Sequence, residues 1–60
     1  MLILELEVTD EQAWALAQMV KRFGYTDAES LSASKPETDT MIQAVIELQK
    51  ALDRVGISPR

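Results

Sequence analysis

The side chains that could carry out catalysis in this sequence are few, since its 60 residues include no histidine and no cysteine. Paired carboxylates occur twice, as Asp27 with Glu29 and as Glu37 with Asp39. Both pairs lack the Asp, Asn and Gly pattern of a calcium-binding loop. We expect them to cap helices and to be hydrated rather than to bind a metal. The sequence therefore predicts no enzyme, no metal site and no cofactor.

Hydroxyl and basic groups offer no better catalytic site. Ser30, Ser32 and Ser34 would each need a neighbouring general base to act as a nucleophile, and no histidine is available. Lys21 and Arg22 lie at the expected end of a helix, where cations interact favourably with the helix dipole. The two glycines are expected to end helices, so the sequence holds no glycine loop of the kind that binds phosphate.

The formal net charge of -4 is concentrated at the N-terminal end. Residues 21–60 hold six acidic and six basic side chains, whereas residues 1–20 hold no basic side chain. Each contact with a phosphate group needs a cation, so this distribution predicts that nucleic acid is not the partner. The charged side chains of residues 1–20 are Glu5, Glu7, Asp10 and Glu11.

A chain of this length can build only a small hydrophobic core. A domain of 60 residues buries about 60% of the surface that its unfolded chain exposes, so its stability is marginal. Disulfides and zinc sites need cysteine or histidine, and the sequence contains neither. The apolar fraction of 47% is typical of a folded domain rather than a disordered chain. We therefore expect an ordered domain that is stabilised by a second subunit.

The N-terminal residues, MLILELEV, have neither the basic flank nor the uninterrupted apolar core of a secretory signal. No apolar stretch reaches the length of a membrane span. The sequence therefore predicts a cytoplasmic protein without a membrane partner.

The first half of the chain predicts one strand followed by one helix. Apolar side chains recur at every second position over residues 2–8, and this period predicts a strand with one buried face. Thr9 and Gln12 have the spacing of a capping box, in which each side chain accepts a hydrogen bond from the other residue's backbone amide. The apolar stripe that follows predicts a helix over 10–23, ended by Gly24 in the left-handed conformation. The side chains on the buried face of the predicted strand are Leu2, Leu4, Leu6 and Val8.

The second half predicts a polar connection and one long helix. Residues 24–36 are rich in Ser and Thr and are interpreted as a connection that could hold one short helical turn. Ser34 and Glu37 form another capping pattern ahead of an apolar stripe, which predicts a helix over 37–55. The glycine and the proline beyond this stripe are helix-ending signals, so residues 56–60 are interpreted as a tail.

The strand and the off-axis apolar side chains of both helices favour a homodimer. A single strand needs a neighbour for its backbone groups, and no second strand-like run occurs in this chain. Trp14, Ile42 and Ile46 lie about 100 to 140° around their helices from the main apolar stripes. The alternative is that they belong to the apolar surface that every small protein exposes. The predicted dimer contacts are Leu2, Leu4, Leu6, Val8, Trp14, Ile42 and Ile46.

We therefore predict an α+β fold, mostly helical, in a single domain. One N-terminal strand precedes two helices, and the strands of two copies form an intertwined antiparallel-ribbon homodimer.

This order of elements resembles the ribbon-helix-helix repressors of bacteria and phages. The resemblance covers the first 26 residues, MLILELEVTDEQAWALAQMVKRFGYT, and implies dimerisation through the strand. It also implies that the outward side chains of the ribbon, here Ile3, Glu5 and Glu7, contact DNA. Two glutamates without a neighbouring cation would repel the DNA phosphates, and the connection is longer than the turn of those repressors. The resemblance therefore supports the fold and disfavours the function.

A second resemblance is closer in sequence. The strings VTDEQAWALAQ and KR, followed by glycine, and a Gly-x-x-Pro-Arg ending are similar to a set of short uncharacterised bacterial and phage-borne proteins. The similarity covers the first 24 residues and the last five. It implies a mobile-element setting and no particular activity.

Taken together, these features favour a non-enzymatic, acidic, homodimeric module that binds another protein. Trp14, the single tryptophan, is a candidate either for the dimer contact or for the partner contact. An inhibitor of a host system, carried by a phage or plasmid, is a narrower form of this hypothesis. A ribbon-helix-helix transcriptional regulator is the alternative. The candidate partner-binding residues are Ile3, Glu5, Glu7, Glu11 and Trp14.

Overall fold

A computed structural model describes residues 1–58, and over that range the regular structure consists of three helices. Helix α1 covers Asp10–Arg22, α2 covers Tyr25–Leu31 and α3 covers Lys35–Arg54. The longest helix, α3, packs against both α1 and α2. The last two positions of the predicted tail, Pro59 and Arg60, lie outside the described residues.

Helix α1 begins at a capping box. The Thr9 hydroxyl accepts a hydrogen bond from the Gln12 amide, and the Gln12 side chain accepts one from the Thr9 amide. These two bonds satisfy backbone donors that a helix start leaves without partners. The helix has acidic residues in its first turn and basic residues in its last, which matches the sign of its dipole at each end. It ends at Arg22, one residue before the predicted end of 10–23.

Helix α2 occupies most of the segment that the sequence analysis interpreted as a connection, 24–36. Gly24 has a φ of -112°, so it is not the left-handed end of α1 but the residue that caps the start of α2. Its amide donates to the Asp27 carboxylate at 2.8 Å. The helix buries a single alanine, Ala28. One small buried residue gives no apolar stripe, which is why hydrophobic periodicity did not reveal this helix.

Helix α3 begins at Lys35, two residues before the predicted start of 37–55. The Ser34 hydroxyl accepts from the Glu37 amide at 3.3 Å, and the proline in the first turn needs no partner for an amide there. The helix ends at Arg54, and Gly56 follows with a φ of 83°. Only glycine adopts this left-handed conformation without steric cost.

The hydrophobic core is small and lies between α1 and α3. Ala17 and Val20 of α1 are buried against Leu52 of α3. Thr38 is the buried polar residue of α3, and its hydroxyl donates to the Ser34 carbonyl at 3.1 Å and shares a hydrogen bond with the Ser32 hydroxyl. Half-buried apolar side chains surround the core, namely Leu16, Val45, Leu48 and Ile57.

The chain exposes more surface than a compact protein of its mass. Its accessible surface is 5207 Å². A compact monomer of 6.7 kDa is expected to expose about 3,900 Å². Much of the excess comes from the N-terminal residues, every one of which is exposed as far as Gln12.

The predicted α+β fold is wrong, because residues 1–58 contain no strand. The period of two over residues 2–8 describes alternating side chains, but a strand also needs a neighbouring strand for its backbone hydrogen bonds. All the regular structure within residues 1–58 is helical, and helices use their own backbone groups. The intertwined ribbon homodimer depended on this strand and is not supported. The resemblance to ribbon-helix-helix repressors fails at the same point.

Candidate binding surface

The most exposed apolar part of the molecule is its N-terminal segment, residues 1–8, which we call the arm. Leu2 and Leu4 keep 88% and 87% of their surface exposed, and every other arm residue is exposed as well. Within the described part of the chain, no arm backbone group takes part in a hydrogen bond. The arm is therefore a short peptide with free backbone donors and acceptors and with uncovered apolar side chains.

The arm has two chemically different sets of side chains. The even-numbered positions are apolar throughout, whereas Glu5 and Glu7 at odd-numbered positions carry two of the four negative charges of residues 1–20. In an extended backbone, successive side chains point to opposite sides. When it is extended, the arm thus presents one apolar side and one mixed side, on which Met1 and Ile3 precede Glu5 and Glu7. The apolar side consists of Leu2, Leu4, Leu6 and Val8.

The acidic character continues into the first turns of α1. Glu11 and Trp14 are three residues apart on this helix, so their side chains are neighbours on its surface. Both are exposed, and Trp14 keeps 45% of its surface accessible. The five predicted partner-binding residues thus all lie exposed in residues 1–22, three of them on the arm and two on α1. The arm and α1 are joined at the Thr9 cap.

The predicted dimer contacts are distributed over three elements. Four are on the arm, Trp14 is on α1, and Ile42 and Ile46 are on α3. Ile42 is half-buried and Ile46 is exposed. The predicted ribbon was to bring these residues together, but residues 1–58 contain no strand that could form it. The dimer contact at these side chains stays a prediction.

Five large exposed apolar residues are absent from the predicted contacts; two are Met1 and Met19, and the other three lie at helix ends. Tyr25 and Leu31 lie at the two ends of α2, and Val55 lies directly after α3. Tyr25 and Leu31 were hidden in the segment interpreted as a connection. Val55 lies at the end of the apolar stripe that predicts the helix over 37–55. The helix-ending signal of Gly56, one residue later, indicated that Val55 lies at the edge of the packed region.

The polar residues considered for catalysis serve mainly as helix caps. Asp27 accepts from the Gly24 amide, and Glu37 accepts from the Ala33 amide at 3.0 Å. The Ser30 hydroxyl donates to the Asp27 carbonyl, and the Ser32 hydroxyl, which has a single proton, donates either to the Glu29 carbonyl or to the Thr38 hydroxyl. No group of three or more potential metal ligands occurs in residues 1–58. Local hydrogen bonds to the backbone thus account for Asp27, Glu37, Ser30 and Ser32.

The grooves of the helical body are small. One of about 190 Å³ lies between α1 and the C-terminal end of α3, and one of about 270 Å³ lies beside α2. Pockets that enclose small-molecule ligands usually measure about 300 to 1,000 Å³. Neither groove reaches that size, so the arm remains the strongest candidate for a binding surface.

None of the three helices combines the length and the apolar character that crossing a lipid bilayer requires, as far as residues 1–58 show.

Comparison with the curated proteins and with the solved structures gave no match. The chain does match a family model over its whole length, residues 1–60. The description of that model is a family of unknown function, which agrees with the predicted resemblance to short uncharacterised proteins. The chain therefore belongs to the family of unknown function DUF7706.

Proposed function

We propose that this chain is a non-enzymatic module that binds another protein through its acidic N-terminal end. The observation that carries the proposal is the arm, whose leucines keep 67 to 88% of their surface exposed next to a helical body that has its own core. Removing one leucine side chain from water contributes about 1.5 to 3 kcal/mol. A partner that covers the apolar side of the arm gains this contribution several times, against the entropy lost when the arm is ordered.

The charge of the arm supports a basic protein as the partner. Residues 1–20 carry four acidic and no basic side chains, so a surface rich in Lys or Arg complements them. A second copy of the chain is less suitable, because it brings the same negative end and its residues 21–60 have no net charge. Duplex DNA is disfavoured for the same reason.

The alternative function, a ribbon-helix-helix regulator, is not supported, because it depends on the predicted strand. That function requires a two-stranded ribbon, and residues 1–58 form no strand. An inhibitor carried by a phage or plasmid is one use of a protein-binding module. The identity of the partner protein would show whether the module acts as such an inhibitor.

A capture experiment with matched leucine variants tests the proposal. The full chain is immobilised through its C-terminus, so that the arm stays free, and is exposed to cytoplasmic extract of the native host. Leu4→Asp changes the arm, and Leu31→Asp makes the same change at an exposed leucine of α2. Circular dichroism checks that both variants keep their helices.

We expect a protein that the wild-type chain and Leu31→Asp retain and that Leu4→Asp releases. Equal retention by both variants would show that the arm is not the binding element. The absence of any protein whose retention depends on the arm would also overturn the proposal.

A further inference from the structure

The arm exposes free backbone amides and carbonyls as well as side chains, and from these groups we infer how it binds its partner. The inference rests on the proposed function. The arm binds as an added strand at the exposed edge of a β-sheet in a partner protein that carries basic side chains beside that edge. Residues 1–58 form no strand of their own, so the pairing exists only in the complex.

The unpaired backbone of the arm is the first argument. A partner that buries the apolar side of the arm also removes nearby amides and carbonyls from water, and this is costly unless they find hydrogen-bond partners. Within residues 1–58 these groups have no such partners. An exposed sheet edge presents a matching row of free amides and carbonyls. Strand addition therefore satisfies the backbone in the same step that covers the leucines.

The start of α1 is the second argument, because it disfavours the alternative that the arm binds as a helix. Thr9 has an extended backbone with φ of -71° and ψ of 163°, and its hydroxyl and amide are both used in the capping box. A helix that continued back into the arm would have to break this cap. The leucine pattern also does not suit a helix, since positions two apart lie about 200° apart around a helix axis.

The alternation of side chains is the third argument, and it specifies the partner. In an added strand, Leu2, Leu4 and Leu6 share one side and can enter apolar pockets next to the edge. Glu5 and Glu7 share the other side, where Lys or Arg on the neighbouring strand can pair with them. The arm is also long enough, because an ordinary strand has about five to six residues.

Proline variants test the backbone pairing directly. Proline removes an amide hydrogen, so it prevents pairing only where that amide faces the partner. In a strand, amides of even-numbered and odd-numbered residues face opposite edges. Leu4→Pro and Glu5→Pro therefore test which edge of the arm strand faces the partner. Leu4→Ala and Glu5→Ala are their controls for the lost side chain.

The measurement is the affinity of each full-length variant for the arm-dependent partner from the capture experiment. We expect one proline variant to bind roughly tenfold or more weakly than its alanine control, and the other to stay much closer to its control. Hydrogen exchange in the complex should protect alternate amides of the arm. If both proline variants bind like their alanine controls, the arm binds through side chains alone. The inference would then be wrong while the proposed function stands.

The basic character of the partner has its own test. The double variant Glu5→Gln with Glu7→Gln should bind more weakly, and its affinity should depend less on salt concentration than that of the wild type. If neither the double substitution nor the salt concentration changes the affinity, the partner's sheet edge does not carry the basic side chains that we infer. Identification of a second copy of this chain as the arm-dependent partner would overturn the inference as well. If no protein depends on the arm, the proposed function and the inference fail together.

Discussion

Thr9 and Gln12 exchange two hydrogen bonds at the start of α1. The Gln12 amide donates to the Thr9 hydroxyl at 3.1 Å, and the Thr9 amide donates to the Gln12 side chain at 2.9 Å. This pair fixes the boundary between the exposed arm and the helical body. The boundary matters for the proposed function, because it keeps the arm out of α1 and leaves its backbone groups free.

The first prediction concerns this cap. Thr9→Ala removes the hydroxyl and should lower the free energy of unfolding by about 1 kcal/mol, the usual effect of losing an N-terminal cap. Thr26→Ala is the control, since Thr26 is also exposed at a helix start but is not the capping residue of α2. Urea denaturation followed by circular dichroism measures both. Equal effects of the two changes would show that the capping box does not stabilise α1.

The second prediction concerns the small core. Leu52 is 8% exposed and Leu31 is 67% exposed, so the same change to alanine probes a buried and an exposed leucine. Leu52→Ala should lower the free energy of unfolding by about 2 to 5 kcal/mol. That is a large part of the roughly 3 to 9 kcal/mol expected for a domain of this size. Leu31→Ala should change it by less than about 0.5 kcal/mol. A comparable loss in both variants would mean that the core does not lie between α1 and α3.

The third prediction compares two threonines of α3 that make the same type of hydrogen bond. The Thr38 hydroxyl donates to the Ser34 carbonyl in a buried site, and the Thr40 hydroxyl donates to the Pro36 carbonyl at 3.0 Å in an exposed one. Thr38→Val keeps the shape and should cost about 1 kcal/mol, because the Ser32 hydroxyl also loses a partner. Thr40→Val should have little effect, since water replaces the lost bond. Thermal unfolding distinguishes the two, and a larger loss at Thr40 would contradict the burial of Thr38.

The fourth prediction concerns nucleic acid. The chain should not shift duplex DNA in a gel near physiological salt, because residues 1–20 carry no basic side chain to contact phosphates. Replacing both Glu5 and Glu7 by lysine should create weak binding that disappears as the salt concentration rises. Sequence-specific binding by the wild-type chain would contradict the proposed choice of a protein partner.

The parts of the fold that could be predicted from the sequence are those that depend on neighbouring residues. Thr9 with Gln12, and Ser34 with Glu37, act over three positions, and the structure confirms these caps. The strand could not be decided in this way, because an alternating pattern does not supply the neighbouring strand that pairing requires. Helix α2 was predicted only as one short turn inside a connection, because Ala28 is its single buried residue.

The candidate site was predicted only in part, because some of its properties depend on residue type and others on the packed structure. Residue types identified Glu5, Glu7 and Trp14 as candidates, since charge and side-chain size are visible in a sequence. Their exposure is a property of the packed structure, as is the exposure of the leucines that were expected to be buried.

The fifth prediction concerns the two glycines, both of which the sequence analysis interpreted as helix ends. Gly56 has a φ of 83° with no atom within 4 Å of an added Cβ, so Gly56→Ala meets no clash but strains the backbone. We expect a loss of about 1 to 2 kcal/mol in the free energy of unfolding. Gly24 has a φ of -112°, and the nearest atom to an added Cβ is a carboxylate oxygen of Asp27 at 3.8 Å.

Gly24→Ala should therefore be nearly neutral. Alanine is a poorer N-terminal cap than glycine, but it also restricts the unfolded chain, and these two effects have opposite signs. Denaturant unfolding of both variants separates the two interpretations of Gly24. If it ended α1 in the left-handed conformation, Gly24→Ala would lose as much stability as Gly56→Ala. If it caps α2 with its amide bonded to Asp27, only the change at Gly56 should be costly, because within residues 1–58 a positive φ is found there alone.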